Sequence, residues 1–493
     1  MDFIIINKLD NVGVSLKVPF LPKGTVVLDS VTISEDIPYG HKFSLININK
    51  DEKIIKYGNP IGKASTYISA GSHVHTFNVS TLLDKAVNYE YNGAVNNSNS
   101  ASLFRKVKVY ERENKTYGIR NELWIIPTVG CINSVCDNYA SLFSKNHKLS
   151  KNYDGIKVLT HPYGCSQMGA DLEYTTLTLQ KLATNPNVGG VLIVGLGCEN
   201  NQISAMSNFA YILPRTRFVN LQTTSNEKEV VLGLLEELYL NLKLDKRVTS
   251  PLSVLKIGMK CGGSDGLSGI TANPLIGRFS DYLVSQKASA VLTEVPEMFG
   301  AENILMARAK NKDVFLKIVD LINDYKQYYI DHNQVVYDNP SPGNKKGGIT
   351  TLEEKSLGCI QKGGVSCVVD VVSKDSKVVL SGLNLIKSPG NDLVSVTELT
   401  ASGCALVLFS TGRGTPFGGM VPTVKISTNS LIYSNKPEWI DFNAGVLVSE
   451  EKTMDDLLLQ FIEYIIEVIN GKKTTNELNN IHGIAIFKDG VTL

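Results

Sequence analysis

Short apolar runs recur through the middle of the chain, and each is closed by a glycine-bearing loop before a longer stretch with helical spacing. The runs are Leu123–Ile126, Ile156–Thr160, Gly190–Val194, Val254–Met259 and Ala290–Thr293. Strands that alternate with helices in this way read as βαβ units and specify an α/β body on a mostly parallel sheet. In such a sheet the loops after the strands share one edge, where ligands usually bind. Residues in those loops are therefore the first candidates for chemistry.

The flanks read differently. Residues 1–85 hold short β-rich pieces, Gly13–Leu16, Gly24–Leu28, Lys42–Ile46 and Lys53–Tyr57, separated by turns such as Pro38-Tyr39-Gly40. That is a small β domain. Asn, Ser, Tyr and Gly dominate from Asn88 to Ser102, so residues 86–112 read as a linker. Residues 113–335 form the α/β domain with the Gly-Cys loops. Residues 336–493 form a C-terminal α/β lobe with a strand at Ala405–Phe409 and an amphipathic helix from Met454 to Asn470. Whether this lobe stands apart or completes the same sheet is open at this stage.

Among 493 residues, 49 Lys and Arg face 48 Asp and Glu, a net charge of +1, so no broad basic surface exists to attract nucleic acid or an anionic membrane. The first residues lack the basic segment and apolar core of a secretory signal, and no apolar stretch is long enough to span a bilayer. The expected setting is the cytoplasm, where the 8 cysteines stay reduced and serve as packing, metal ligands or reactive thiols. An assembly of identical chains is left open.

Cys131, Cys165, Cys198 and Cys261 each follow or open a Gly-rich loop after a strand. If the four converge, thiolates would select iron, an iron–sulfur cluster or zinc; small cysteines packed under tight turns are the alternative. Cys136, Cys367 and Cys404 read as packing, and Cys359 is undecided. The loop from Cys261 to Gly269 leads into Asn273-Pro274, which suits a helix N-cap and first helical position. Its glycines could close on a carboxylate. Arg413, among glycines in Thr411-Gly412-Arg413-Gly414, could clamp a carboxylate in bidentate fashion, and Lys345 in the Asn339–Gly348 loop could be a second anchor or a base. Glu294 and Glu297 follow the fifth run on the same edge and could be acid/base groups or metal ligands. His73 and His75 alternate on one strand face, a spacing suited to a metal or a polyol, and His41 lies in the same β domain.

Taken together, these segments resemble the altronate branch of the altronate/galactarate dehydratase family. The resemblance runs through Asp36–Lys42 and His73-Val74-His75, similar to its SAF-type (β-clip) domain, then Arg120–Trp124, the Gly-Cys loops, Gly262–Pro274, Asn339–Gly348, Thr411–Gly414 and Ile486–Leu493. It implies removal of water from a sugar acid, D-altronate giving 2-dehydro-3-deoxy-D-gluconate, with Fe(2+) or Mn(2+) as activating metal. Galactarate dehydration, a sulfolactate sulfo-lyase activity and non-catalytic binding of a sugar acid are the competing readings. In this setting Lys345, Glu294 and Glu297 are the catalytic candidates. Arg413, Asn344, Ser264, Asp265, Arg120, Asn121 and His41 are the substrate-binding ones. Iron or manganese suits N and O ligands, which ranks His73 and His75 ahead of the four cysteines as the metal site, with an iron–sulfur cluster as the alternative cofactor.

Overall fold

The computed structural model describes residues 2–28, 30–83, 89–91, 93, 104–207, 214–450 and 452–493. Most of the Asn88–Ser102 segment lies outside them. The last part of the expected linker is a strand instead: Lys106–Glu111 pairs antiparallel with Val248–Pro251 and Tyr117–Gly118. Its alternation of exposed lysines with buried Val107 and Val109 is the reason.

Among its described residues the N-terminal domain is built from short antiparallel strands. One sheet runs Phe3–Ile4, Val12–Ser15, Lys42–Ser44, His73–Val74, and a second runs Val79–Ser80, Asn59–Ala64, Lys53–Lys56. Gly13 has no side chain because the Phe43 ring occupies its place, 2.6 Å from where a Cβ would stand. Ile54, Ile61 and Val74 then join the same apolar core as Leu352 and Leu357 of the helix Leu352–Cys359. The β domain is thereby packed onto the α/β body.

The body contains two parallel sheets. In the first, Gly155–Val158, Glu122–Pro127, Val188–Gly195 and Thr216–Asn220 lie side by side in that order. Alternation along Glu122–Pro127 sends Leu123 and Ile125 to one face, under the helices Asn133–Asn146 and Glu227–Leu242, and Trp124 and Ile126 to the other. The second face packs against Gly169–Ala183 and reaches Met420, Ile484 and Ile486 of the C-terminal part.

The second sheet has seven parallel strands in the order Val368–Val372, Gly382–Ile386, Ser289–Leu292, Lys256–Cys261, Leu406–Thr411, Thr423–Ser427, Phe442–Asn443. Since it spans Lys256 to Asn443 without a break in pairing, a boundary at 335/336 would cut through it. The division between the two α/β parts falls before Lys256. From the central strand Lys256–Cys261 the chain first builds one side and later the other, so the order reverses between this strand and Leu406–Thr411. Ligands of doubly wound sheets bind at such a switch, beyond the strand C-termini. The loops there begin at Cys261 and end at Arg413.

Candidate functional site

Four loops meet beyond this switch. The backbone N–H groups of Gly412 and Arg413 donate to Gly263 O, and Asn344 Nδ2 donates to Ser264 O at 2.8 Å. Gly266 N donates to Gly347 O at 2.7 Å. Gly40 of the β domain lies against both: its carbonyl oxygen is 2.0 Å from where a Gly266 Cβ would stand and 2.4 Å from that of Gly348. The φ of Gly348, +102°, adds a backbone reason for glycine there.

This contact carries the histidines to the body. His41 Nε2 lies 3.2 Å from Lys346 O, and His41 Nδ1 lies 3.0 Å from His73 Nε2. The rings of His73 and His75 stack at 5.4 Å. One nitrogen from each of the three lies within 4.8 Å of the others, and His75 Nδ1 is buried without a hydrogen-bond partner among the described residues. Burial, reinforced by the neighbouring rings and Lys42, pulls His73 down to about 3; burial and Lys42 pull His75 down to about 4. His41 is also lowered, chiefly by burial. Three neutral imidazoles, one with its outer nitrogen on a carbonyl oxygen and another with an orphaned nitrogen, are a donor set that fits Fe(2+) or Mn(2+). His41, expected to touch substrate, belongs with this group.

Beneath the histidines lies a buried charge triad that the sequence did not announce. Lys42 Nζ donates to Glu354 Oε2 at 2.9 Å and to Gly348 O at 2.6 Å, while Lys56 Nζ donates to Glu354 Oε1 at 2.7 Å. Burial would push the Glu354 carboxyl up, but the two ammonium groups hold it well below the usual carboxylate range. Both lysines come from the β domain and the glutamate from the body, so the triad fixes their relative position.

A second cluster sits at the end of the central strand. Cys261 Sγ and Cys359 Sγ are 3.3 Å apart and lie 3.2 and 3.0 Å from Glu297 Oε2. Glu297 Oε1 pairs with Lys355 at 2.6 Å. Glu294 pairs with Lys260 at 2.5 Å and Lys362 at 3.2 Å, and accepts the Cys261 N–H. Burial works against the Glu297 carboxylate, yet Lys355, Lys260 and Lys362 outweigh it and hold its pKa low; Glu294 is pushed up by burial and by Glu297. The Cys359 thiol is raised well above its ordinary value by its hydrogen bond to Cys261 and by burial. One ligand atom from each of Cys261, Glu297 and Cys359 lies within 4.8 Å of the others, but with Glu297 already spent on Lys355 and two sulfur donors this group suits Fe(2+) or Mn(2+) less well than the three imidazoles.

Several expectations change as a result. Glu294 and Glu297 have both carboxylate oxygens engaged by the protein and are buried, so they tune the field beneath the site. Asp265 is buried and surrounded by donors from Leu267, Ser268, Thr428 and Asn429, so its carboxylate braces the loop. Asn344 likewise links Ser264 O to Lys355 Nζ. Arg120 is buried, and its five N–H groups go to Glu477 and to the carbonyls of Ile119, Val468 and Lys472. Asn121 holds Arg112, Asn152, Asp154 and Leu242. Both clamp the body together and are removed from the substrate-binding set. Asn273 is not an N-cap: Thr271 precedes the helix Ala272–Ser285, and the Asn273 side chain bonds Gly358 O and Ser410 Oγ.

What remains facing the crevice is chemically simple. Arg413 is exposed and Lys345 half-buried, and neither side chain has a protein hydrogen bond or ion pair among the described residues. Ser264 Oγ is buried without a hydrogen-bond partner among the described residues. Ser264, Lys355 and Tyr57 line a narrow cavity between the β domain and the body.

The four cysteines do not converge. Cys261 is buried in the seven-stranded sheet beside Cys359, whereas Cys131, Cys165 and Cys198 are exposed on the loops of the four-stranded sheet. Matching loop positions suggest one edge, but two separate sheets supply them. Cys136 and Cys404 are buried, and burial pushes each thiol up to about 12, as suits packing residues.

A SAF-type β domain set on the switch point of a parallel sheet, with three histidines against the segment that carries Lys345 and with Arg413 on an adjoining loop, defines an enzyme for a small anion. Comparison with known families agrees over three successive stretches of the chain. Residues 1–82 match the altronate/galactarate dehydratase SAF domain, 109–242 the D-galactarate dehydratase/altronate hydrolase second domain, and 252–492 the D-galactarate/altronate dehydratase C-terminal domain. The chain is 50% identical over its full length to an altronate dehydratase of Bacillus subtilis, covering 99% of that protein, and 49% identical to one of Escherichia coli, covering all of it. A galactarate dehydratase (L-threo-forming) of Escherichia coli is 32% identical over 96% of this chain and 94% of its own length. The chain belongs to the altronate/galactarate dehydratase family.

Proposed function

We propose that the chain is a hydro-lyase that converts D-altronate to 2-dehydro-3-deoxy-D-gluconate and water. The observation that carries this reading is the full-length identity to two altronate dehydratases, well above that to the galactarate enzyme. The crevice supplies groups that such a reaction needs.

The exposed Arg413 guanidinium meets the sugar-acid carboxylate, which fixes one end of the substrate. Lys345, beside His75, is the group that moves the C2 proton to the departing C3 hydroxyl, so the elements of water leave and an enol remains to ketonise. Ser264 Oγ, held by the braced loop, is free to bond a substrate hydroxyl. His41, His73 and His75 would hold Fe(2+) or Mn(2+), which when bound supplies Lewis-acid stabilisation of the negative charge that develops as the C2 proton departs. Lys260, Lys355 and Lys362 beneath the site keep Glu294 and Glu297 from presenting an uncompensated negative field.

The reading places the enzyme in the cytoplasm, with a small-molecule substrate as its partner. Among the described residues no helix is long and apolar enough to cross a membrane. The test is to incubate the full chain with D-altronate and with galactarate in parallel, with Fe(2+) or Mn(2+), and to measure the 2-keto acid formed. Faster turnover of D-altronate is expected. Absence of altronate turnover in the presence of either metal would overturn the reading.

A further inference from the structure

The cysteines left outside this site are Cys131, Cys165 and Cys198, and their loops are one unit. Gly130 N donates to Tyr163 O at 2.8 Å, and Asn200 and Asn201 N donate to Gly164 O at 2.9 and 3.1 Å. Asn201 Nδ2 donates to Thr128 O, and Asn200 Oδ1 accepts from Ser166 N at 2.8 Å. The glycine before each cysteine is where another part of the structure closes in. A Cβ on Gly164 would stand 2.1 Å from Thr128 O, one on Gly130 2.8 Å from His161 O, and one on Gly197 2.5 Å from Gln222 Oε1. The residue that follows each glycine is a cysteine.

Packing does not account for them. Free cysteine is among the most buried residue types, yet all three are exposed while Cys136, on the helix that starts two residues after Cys131, is buried. One thiol from each of three interlocked loops, all at the C-terminal edge of one parallel sheet, is a ligand arrangement with no use in the chemistry proposed above. The three do not form either of the two groups, among the described residues, whose ligand atoms all lie within 4.8 Å, which is what a single ion would require. A polynuclear cluster holds its thiolates farther apart than one ion does.

We infer that Cys131, Cys165 and Cys198 bind a cuboidal [4Fe–4S] cluster through three thiolates, leaving one iron without a cysteine ligand. On assembly each thiol loses its proton as an Fe–S bond forms, and no change in oxidation state of the protein is involved. Gln222 Nε2, 3.6 Å from Cys198 Sγ, supplies a hydrogen bond to one ligand sulfur. The site is separate from the histidines, so its occupancy does not depend on the assignment of substrate.

The test is anaerobic purification of the full chain, reconstitution with equal amounts of ferrous and ferric iron and with sulfide, and measurement of iron, acid-labile sulfide and the electron paramagnetic resonance spectrum after reduction. About four iron and four sulfide per chain are expected, as the cluster formula requires. Cys131→Ser, Cys165→Ser and Cys198→Ser should each lose most of the sulfide and the reduced-cluster signal, while Cys367→Ser and His73→Ala retain both. Circular dichroism on each variant keeps a folding defect apart from loss of a ligand. Reconstituted protein without acid-labile sulfide, a stoichiometric zinc ion on these thiols in its place, or full sulfide retention in well-folded Cys→Ser variants would each overturn the inference.

Discussion

Arg413 and Lys345 owe their candidacy to what they do not touch, since a cation without a protein partner at a crevice can meet a substrate anion at little cost. Replacing Arg413 by Ala should raise KM for the sugar acid about 10- to 100-fold, the range of a lost charge-assisted hydrogen bond, with Arg413→Lys in between. Steady-state kinetics decide it: an unchanged KM would remove Arg413 from the carboxylate. Lys345→Ala should instead lower kcat about 10²- to 10⁴-fold with little change in KM, as expected for a group that moves a proton. Glu354 makes the opposite kind of prediction. Removing its charge by Glu354→Gln leaves Lys42 and Lys56 buried and uncompensated, a cost of about 3–5 kcal/mol in denaturant unfolding at neutral pH. Because its folded pKa is depressed, the stabilisation is complete above the ordinary carboxylate range, near 4.5, and is lost as pH falls through the lower folded value. The gap between wild type and variant should therefore shrink only on strong acidification.

At the level of the element, strand ends and tight loops decide the site. His73 and His75 were legible as a pair because alternation in an extended segment puts them on one face. His41 joins them only because Val74 pairs with Lys42 and His73 with Phe43 across the sheet, a register the sequence does not print. His73→Ala and His75→Ala should each weaken Mn(2+) binding at least tenfold by calorimetry, while Cys261→Ser and Cys359→Ser leave it within about twofold. The reverse pattern would move the metal to the buried thiols. Gly266 tests the loop contact: a methyl group there would meet Gly40 O at 2.0 Å, which is backbone and cannot swing aside. Gly266→Ala should cost about 1–3 kcal/mol and expose the N-terminal domain to protease, and unchanged resistance would show that the contact can relax.

Across the whole molecule, the sequence by itself determined the α/β body, the β-rich N-terminal domain, the edge on which the loops lie and the family, because hydrophobic period, turn residues and motif order are local properties of the chain. It also brought Arg413 and the histidine pair forward, since each stands in an irregular or alternating segment where packing gives no reason for it, and Lys345, which the structure puts in the short helix Pro342–Lys346 and not in a loop. Only the tertiary structure decided which distant groups meet. Arg120 and Asn121 looked free for a ligand until Glu477 and Asp154 were found against them; Cys359, Lys355 and Glu354 carried no signal until their helix was seen packed between the β domain and the central strand. The four cysteines divided because two sheets, and not one, supply their loops. Strand order, sheet membership and domain docking are set by long-range burial and charge compensation, and those depend on partners hundreds of residues away along the chain.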